Sequence, residues 1–199
     1  IASALEEVSR LSQVVKNLLE LSRADAGQVP LDVQELNLTV LLEDMVEDAM
    51  ILAEEKNIVV TANIERRVMI HGDKVRLHQG LLNVIDNAVK YTPAGGSITI
   101  ALRVQEDEAL VSVSDSGYGI PEEDIPHIFD RFYRVDKSRS ANISGHGLGL
   151  SIVKWVVEAH RGRIKVTSTV GKGTIFFLWL PVEQPEMKPL TTNQSLQTF

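Results

Sequence analysis

The stretch from Leu77 to Ile98, LHQGLLNVIDNAVKYTPAGGSI, constrains the fold of this chain most. Leu77, Leu81, Leu82, Ile85, Ala88 and Val89 recur at steps of three and four residues, the spacing of a helix with one face turned to a core. Asn83 and Asn87 interrupt the pattern four residues apart, so they share a face and point the same way. Lys90 and Tyr91 follow a turn later, and Pro93, Gly95 and Gly96 end the helix. Two amides and an ammonium aimed at one spot suit a site that holds a metal and an anion together. Taken alone, the same residues also describe a helix with a few solvated polar positions, so the remainder of the chain has to decide.

The 199 residues suit one domain of ordinary size with an appendage. Acidic side chains outnumber basic ones 27 to 20, and no basic stripe is visible, which argues against nucleic acid as a partner. The absence of cysteine excludes disulfides and thiolate metal sites. The longest apolar run, Ile175–Leu180, falls far short of the roughly 20 residues a membrane helix needs, so no direct membrane contact is expected of this stretch. No signal peptide is read, and the chain opens at Ile1 in mid-pattern, as a piece of a longer protein would.

Residues 1–25 read as one helix. Ile1, Leu5, Val8, Leu11, Val15 and Leu18 form a near-heptad stripe, widened by Val14, Leu19 and Leu21, which fits a bundle or dimer helix better than one packing only on its own domain. A linker is expected over 26–36, where Gly27 and Pro30 break the pattern. Asn37 or Thr39 can cap the next helix, which runs to about Lys56 with Leu41, Leu42, Met45, Val46, Ala49, Leu52 and Ala53 inward. Ile58–Ile64 and Val68–Ile70 read as strands, His71-Gly72 as a turn, and Asp73 as the cap of the asparagine helix. Ser97–Gln105 and Ala109–Ser114 read as strands joined by an acidic turn, Ile125–Phe132 as a short helix, and Gly147–His160 as the last long helix. Gly162–Val170 and Thr174–Pro181 form a hairpin pattern across Gly171-Lys172-Gly173. Residues 184–199 have little to bury and are expected to be disordered. The sum is an α/β sandwich of two layers, one mixed and largely antiparallel sheet with helices on one face, preceded by a helical bundle fragment.

Two glycine segments bear on chemistry. Asp115-Ser116-Gly117-Tyr118-Gly119 follows a strand; a carboxylate there, beside glycines that let backbone approach a ligand, can accept from an amine, although a plain Asp-Gly turn would look the same. Gly145-His146-Gly147-Leu148-Gly149 alternates three glycines and opens straight into an apolar helix, whose free N–H groups and dipole favour an anion. Its spacing is not the dinucleotide fingerprint, and no βαβ unit leads into it. Gly171-Lys172-Gly173-Thr174 resembles the end of a P-loop, but Val166 stands at the required first glycine and Gly173 at the Ser/Thr position, so it reads as a hairpin turn.

In this order, an asparagine helix, DxGxG, an aromatic-basic segment and GxGxG resemble the ATP-binding catalytic domain of sensor histidine kinases of two-component systems. The asparagine box matches residues 83–91, the first glycine box Asp115–Gly119, the phenylalanine box Ile128–Tyr133 and the second glycine box Gly145–Gly149, within about Asn37–Val182. Ser144-Gly145-His146 resembles the heavy-metal sensor subfamily. The resemblance implies a Bergerat-type ATP-binding fold over 37–183, with 1–25 as the distal part of the second helix of the dimerisation and phosphoacceptor bundle. It implies ATP and Mg²⁺ as cofactors. Asn87 would chelate Mg²⁺, and Asn83 would help hold it or orient the reacting groups. Lys90 would touch phosphate and Tyr91 flank the nucleotide. Asp115 would accept from the adenine amine, with Gly117 and Gly119 giving the base room. Gly145, Gly147, Leu148 and Gly149 would serve the lid over the triphosphate, and Thr174 would complete the adenine end. Arg131, Arg134 and Lys137 would neutralise developing phosphate charge, making Asn83, Lys90 and Arg131 the catalytic candidates. Tyr133–His146 would be a lid that is mobile without nucleotide.

The family's phosphoacceptor histidine precedes an acidic residue on the first bundle helix, and none of His71, His78, His127, His146 and His160 has that setting. The chain is therefore expected to bind Mg-ATP and donate its γ-phosphate to a histidine lying outside it, for later transfer to an aspartate of a response-regulator receiver domain. Its expected partners are that regulator and its own bundle in a homodimer, in the cytoplasmic portion of a bacterial inner-membrane sensor. A catalytically silent ATP-binding module that signals by conformation is the alternative. An ATPase of the gyrase or chaperone kind would carry a catalytic Glu where this chain has Asn83.

Overall fold

The computed structural model describes residues 2–135 and 146–182, apart from the side chains of residues 2–7, 9, 10 and 13. In chain order the elements are α1 (Ala2–Asp25), β1 (Gln34–Asn37), α2 (Leu38–Glu54), β2 (Val59–Ile64), β3 (Met69–Gly72), α3 (Lys74–Tyr91), β4 (Ser97–Gln105), β5 (Glu108–Asp115), a 3₁₀ turn at Ile125–His127, α4 (Gly149–Ala159), β6 (Arg163–Thr169) and β7 (Gly173–Pro181). The expected tail, 184–199, lies outside the described residues.

Five strands form one sheet in the order β2-β4-β5-β7-β6; β2 and β4 run parallel and every other pair is antiparallel. Alternation decides which face is covered. Ile98, Ile100 and Leu102 of β4, Ala109, Val111 and Val113 of β5, and Phe176, Leu178 and Leu180 of β7 are buried, and their register sets Ile100 beside Val113 and Val113 beside Phe176. Buried stripes from α2 (Leu42, Met45, Ala49), α3 (Leu77, Leu81, Ile85) and α4 (Ile152, Val153, Val156) complete the same core. The expected two-layer α/β sandwich with a mixed sheet is what forms.

Four local expectations change. Residues 34–36, read as linker, form a strand together with Asn37: β1 pairs antiparallel with β3, Gln34 opposite Gly72 and Asn37 opposite Met69, in a separate two-stranded sheet. His71 and Gly72 therefore belong to a strand and not a turn. QELN carries no alternating pattern, so only its partner reveals it. The helix expected over Ile125–Phe132 shrinks to the 3₁₀ turn, which carries a proline in its first positions. Helix α4 starts at Gly149 because Gly147, at φ +69°, lies in the left-handed region. The choice of cap for α2 resolves to Asn37, whose side chain accepts from the Val40 N–H at 3.3 Å, while the Thr39 hydroxyl donates to the Glu65 carbonyl at 2.7 Å.

Helix α3 is fixed at both ends. At its start, Asp73 Oδ1 accepts from the Arg76 N–H and Oδ2 from the Asp32 N–H, each at 3.1 Å. The Asp73 N–H in turn donates to His160 Nε2 at 2.9 Å, and His160 Nδ1–H donates to the Val156 carbonyl at 2.7 Å. At its end, Lys56 Nζ donates to the carbonyls of Val89 at 2.8 Å, Lys90 at 2.9 Å and Thr92 at 3.3 Å. A cation here satisfies orphan carbonyls and meets the negative end of the helix dipole.

Helix α1 meets the rest of the chain through buried Leu21, partly buried Val14, and Glu20, which ion-pairs with Arg76 and accepts from Gln79 Nε2 at 3.3 Å. Its stripe of Val8, Leu11, Val15 and Leu18 stays exposed.

Burial lowers the His160 pKa from the ordinary value near 6.5, outweighing the Val156 hydrogen bond and the Asp73 charge, which raise it. The folded protein needs neutral imidazole, because Nε2 is an acceptor. A depressed folded pKa contributes stability in full above the unfolded value, and that contribution is lost as pH falls from about 6.5 toward the folded value. Urea unfolding at a series of pH values from 7.5 to 5 should show stability falling through that window, with the fall reduced in His160→Gln. Loss of the acceptor for the Asp73 N–H in His160→Ala should cost about 1–3 kcal/mol at pH 7.5. A pH profile identical in parent and His160→Gln would overturn this account.

Candidate functional site

A cavity of 330 Å³ lies between α3, the DxGxG loop, the segment after the 3₁₀ turn and the start of α4. From α3 it receives Asn83, Asp86, Asn87, Lys90 and Tyr91; from the end of β5 and its loop, Asp115, Gly119 and Ile120; from β7, Thr174 and Phe176. Gly147, Leu148 and Gly149 form a further wall, with Tyr133, Arg134 and Val135 at the rim. Helix α1 contributes Asn17.

One end is built for a polar edge. Asp115 Oδ1 accepts from the Gly117 N–H at 2.8 Å and the Thr174 N–H at 3.2 Å. Among the described residues none bonds Oδ2, which leaves it as an acceptor for a ligand. Burial raises the pKa of this carboxyl, and the hydrogen bonds from Gly117 and Thr174 pull it back down. Gly119, at φ +71°, passes so close to β6 that an added Cβ would sit 2.2 Å from the Thr169 carbonyl oxygen. Gly117 does not line the cavity; a Cβ on it would meet the Tyr91 carbonyl oxygen at 2.5 Å, so its smallness lets the loop close against α3.

The other end suits an anion and a cation. No side chain caps the N-terminus of α4, so the free N–H groups of its first turn and its dipole favour negative charge. Asn83 stands at this end, where a Cβ on Gly149 would approach its Oδ1 to 3.3 Å, and Asn87 lines the cavity one turn further along α3. Their amide oxygens are hard, neutral ligands, and no group of three or more His, Cys, Asp or Glu able to hold a metal occurs among the described residues. That donor set fits Mg²⁺, which keeps several waters and takes its remaining ligands from phosphate oxygens. Lys90 lines the same wall and pairs with Asp86 at 2.5 Å.

Of the sequence candidates, Asn83, Asn87, Lys90, Tyr91, Asp115, Gly119, Gly147, Leu148, Gly149 and Thr174 come together around this one cavity. Arg131 does not. Its guanidinium lies on α1, 2.7 Å from the Asp25 carboxylate and 3.4 Å from the Leu21 carbonyl. Arg134 does reach the lining. Gly145, Lys137 and Ser144 lie outside the described residues, as does most of the expected lid at Tyr133–His146. Sequence reasoning missed the apolar floor of Ile120, Ile128 and Phe176, since residues lining a cavity and residues lining a core share one hydrophobic pattern. It also missed Asn17, for which no sequence signal exists.

The sequence profile described as histidine kinase-, DNA gyrase B-, and HSP90-like ATPase matches residues 72–184. The sensor histidine kinase WalK of Bacillus subtilis is 37% identical over 183 residues, covering 90% of this chain and 30% of that protein. The chain thus spans well under half the length of the curated relatives it matches. Among solved structures, full-length ShkA in complex with AMPPNP superposes with a TM-score of 0.77 at 29% identity, covering 88% of this chain and 36% of ShkA. The catalytic domain of the histidine kinase ThkA gives a TM-score of 0.63 at 29% identity, covering 75% of this chain and 95% of ThkA.

Gly147 offers a direct test of the cavity wall. An added Cβ would lie 2.7 Å from the Phe132 carbonyl carbon, at a backbone conformation with φ +69°. The left-handed backbone alone costs an alanine about 1–2 kcal/mol, or a melting temperature lower by about 2–8 °C in a chain of this size. Thermal unfolding of Gly147→Ala should show at least that loss, and an unchanged melting temperature would mean the loop relaxes freely.

Proposed function

The chain belongs to the histidine kinase-, DNA gyrase B- and HSP90-like ATPase family, and on that premise we propose that it is the Mg-ATP-binding catalytic module of a sensor histidine kinase. The observation that carries this reading is the convergence on one cavity of an acceptor carboxylate at one end and an amide pair beside an uncapped helix start at the other. These two ends match a molecule with an amine-bearing base at one pole and a charged tail at the other. The likeness to WalK and to the AMPPNP-bound ShkA structure supports it.

In this reading Asp115 Oδ2 accepts from the exocyclic amine of adenine, and Thr174 stands beside it. Ile120, Ile128 and Phe176 exclude water from the base. Asn87 and Asn83 hold Mg²⁺, which supplies charge neutralisation at the phosphates when bound. Lys90 exchanges Asp86 for a phosphate oxygen, and Arg134 reaches the same tail. Arg131, engaged by Asp25, serves the seating of α1 and not phosphate transfer. The γ-phosphate passes to a histidine outside this chain and then to the aspartate of a response-regulator receiver domain. Residues 1–25 are the end of the second bundle helix, and the exposed stripe of Val8, Leu11, Val15 and Leu18 is its dimer seam. No helix among the described residues is long and apolar enough to cross a membrane.

Two measurements test the reading. Calorimetry should show Mg²⁺-dependent ATP binding, weakened about 5- to 150-fold in Asp115→Ala and in Asn87→Ala, the equivalent of the roughly 1–3 kcal/mol cost of an unpaired buried polar group. Parent-like affinity in both variants would exclude this site. Incubation with ATP labelled at the γ position should leave no acid-labile label on the chain, because no histidine here has the acceptor setting and positioning supplies much of such catalysis. Stoichiometric acid-labile label would force one of its five histidines into the acceptor role.

A further inference from the structure

Ser168 of β6 stands directly opposite Thr174 of β7 in the register of the two strands, behind the base end of the cavity. Its hydroxyl has three polar neighbours: the Ile120 N–H at 2.8 Å, the Gly173 carbonyl oxygen at 3.0 Å and Thr174 Oγ1 at 2.8 Å. A serine hydroxyl offers one proton and two lone pairs. The Ile120 N–H only donates, so it takes one lone pair. The Gly173 carbonyl only accepts, so it takes the proton; otherwise two oxygens would face each other at 3.0 Å with no hydrogen between them. What remains toward Thr174 is a lone pair. Thr174 must therefore donate its own proton to Ser168, and it turns only lone pairs toward the cavity.

Resting on the reading of this cavity as a nucleotide site, we propose that Ser168 is a positioning residue that fixes the polarity of Thr174 and so sets the choice of base. With Thr174 oriented this way and Asp115 Oδ1 already taken by two backbone N–H groups, the two side-chain atoms left for the base, Asp115 Oδ2 and Thr174 Oγ1, are both acceptors. Such a wall takes a purine with an amine at C6, directly or through a water, and leaves a C6 oxygen facing lone pairs. Ser168 touches no ligand itself. It acts by denying Thr174 the proton with which a free hydroxyl would accommodate a keto base.

The test compares ATP with inosine triphosphate, which carries oxygen at C6 in place of the amine, by calorimetry with Mg²⁺ present. The parent should bind ATP at least tenfold more tightly. In Ser168→Ala the freed Thr174 hydroxyl can rotate and donate, so the ATP/ITP ratio should fall several-fold, chiefly because ITP binding improves. Ser168→Thr, which keeps a hydroxyl, should hold the parent ratio. In a Thr174→Val background, Ser168→Ala should leave the ratio unmoved. If Ser168→Ala does not fold, Ser168→Cys, with its weak thiol donor, reads the same ratio. An unchanged ratio in a folded Ser168→Ala protein overturns the proposal. So does an equal loss of both affinities, which marks a mere brace, or a ratio change that persists without the Thr174 hydroxyl. A parent that binds neither nucleotide instead strikes the nucleotide reading itself, whereas a parent that prefers ATP with Ser168→Ala unchanged strikes only the role of Ser168.

Discussion

Helix α3 is clamped at both ends by side chains from other elements, and the candidate site depends on that clamp. Lys56 gathers three carbonyls at its C-terminus, while Asp73 and His160 bind its N-terminus to the segment before β1 and the end of α4. An 18-residue helix held only by an apolar stripe retains some freedom to turn about its axis, and a turn would re-aim Asn83 and Asn87. Fixing both ends removes that freedom. The separation of α3 from α4 is set by Gly80, where a Cβ would lie 3.2 Å from Val156 Cγ1. This close approach is what brings Gly149, at the uncapped start of α4, against Asn83. The amide pair and the anion-favouring helix terminus are thus neighbours by packing, with no direct bond between them required.

The base end depends on strand register in the same way. Asp115 and Thr174 are partners across β5 and β7, and Ser168 and Thr174 are partners across β7 and β6. Three adjacent strands place a carboxylate and two hydroxyls in one row. A slip of one residue in either pairing would turn part of this row to the opposite face of the sheet. The buried residues of the same strands resist such a slip, because it would also expose Val113, Phe176 and Leu178. Core packing and ligand polarity are therefore specified by one constraint.

Much of this was legible in the sequence because the signals are local. The α3 stripe, the Asp73 cap, the alternation of β4, β5 and β7 and the glycine segments all lie within a few residues of the features they predict. Contacts between distant segments were not legible. Strand β1 is three polar residues and one leucine, and its identity as a strand exists only in its pairing with β3. Lys56 looks like the end of one helix and serves the end of another. Arg131 lies beside residues that do reach the cavity, yet Asp25, 106 positions earlier, draws it away. Ser168 looks like any serine on a partly exposed strand until the three partners of its hydroxyl are counted together.

Helix α1 shows how far the ligand end of the structure is tied to its opening segment. Leu21 is 2% exposed, and burying a leucine contributes about 1.5–3 kcal/mol. The Arg131–Asp25 pair adds little, since Asp25 is 64% exposed and pairs so placed are worth about 0–1 kcal/mol. Glu20 is more enclosed and meets both Arg76 and Gln79, so its pairing resists screening better. These attachments amount to a few kcal/mol, small enough for an opposing interaction on the exposed face of α1 to reverse. Asn17 on the same helix lines the cavity. A ligand that touches Asn17 strengthens the seating of α1 by the free energy of that contact, and a seated α1 strengthens ligand binding by the same amount, because coupling between two equilibria is reciprocal. For such a ligand, the hydrophobic contact at Leu21 would give the outer stripe of α1 an energetic connection to a cavity it does not touch.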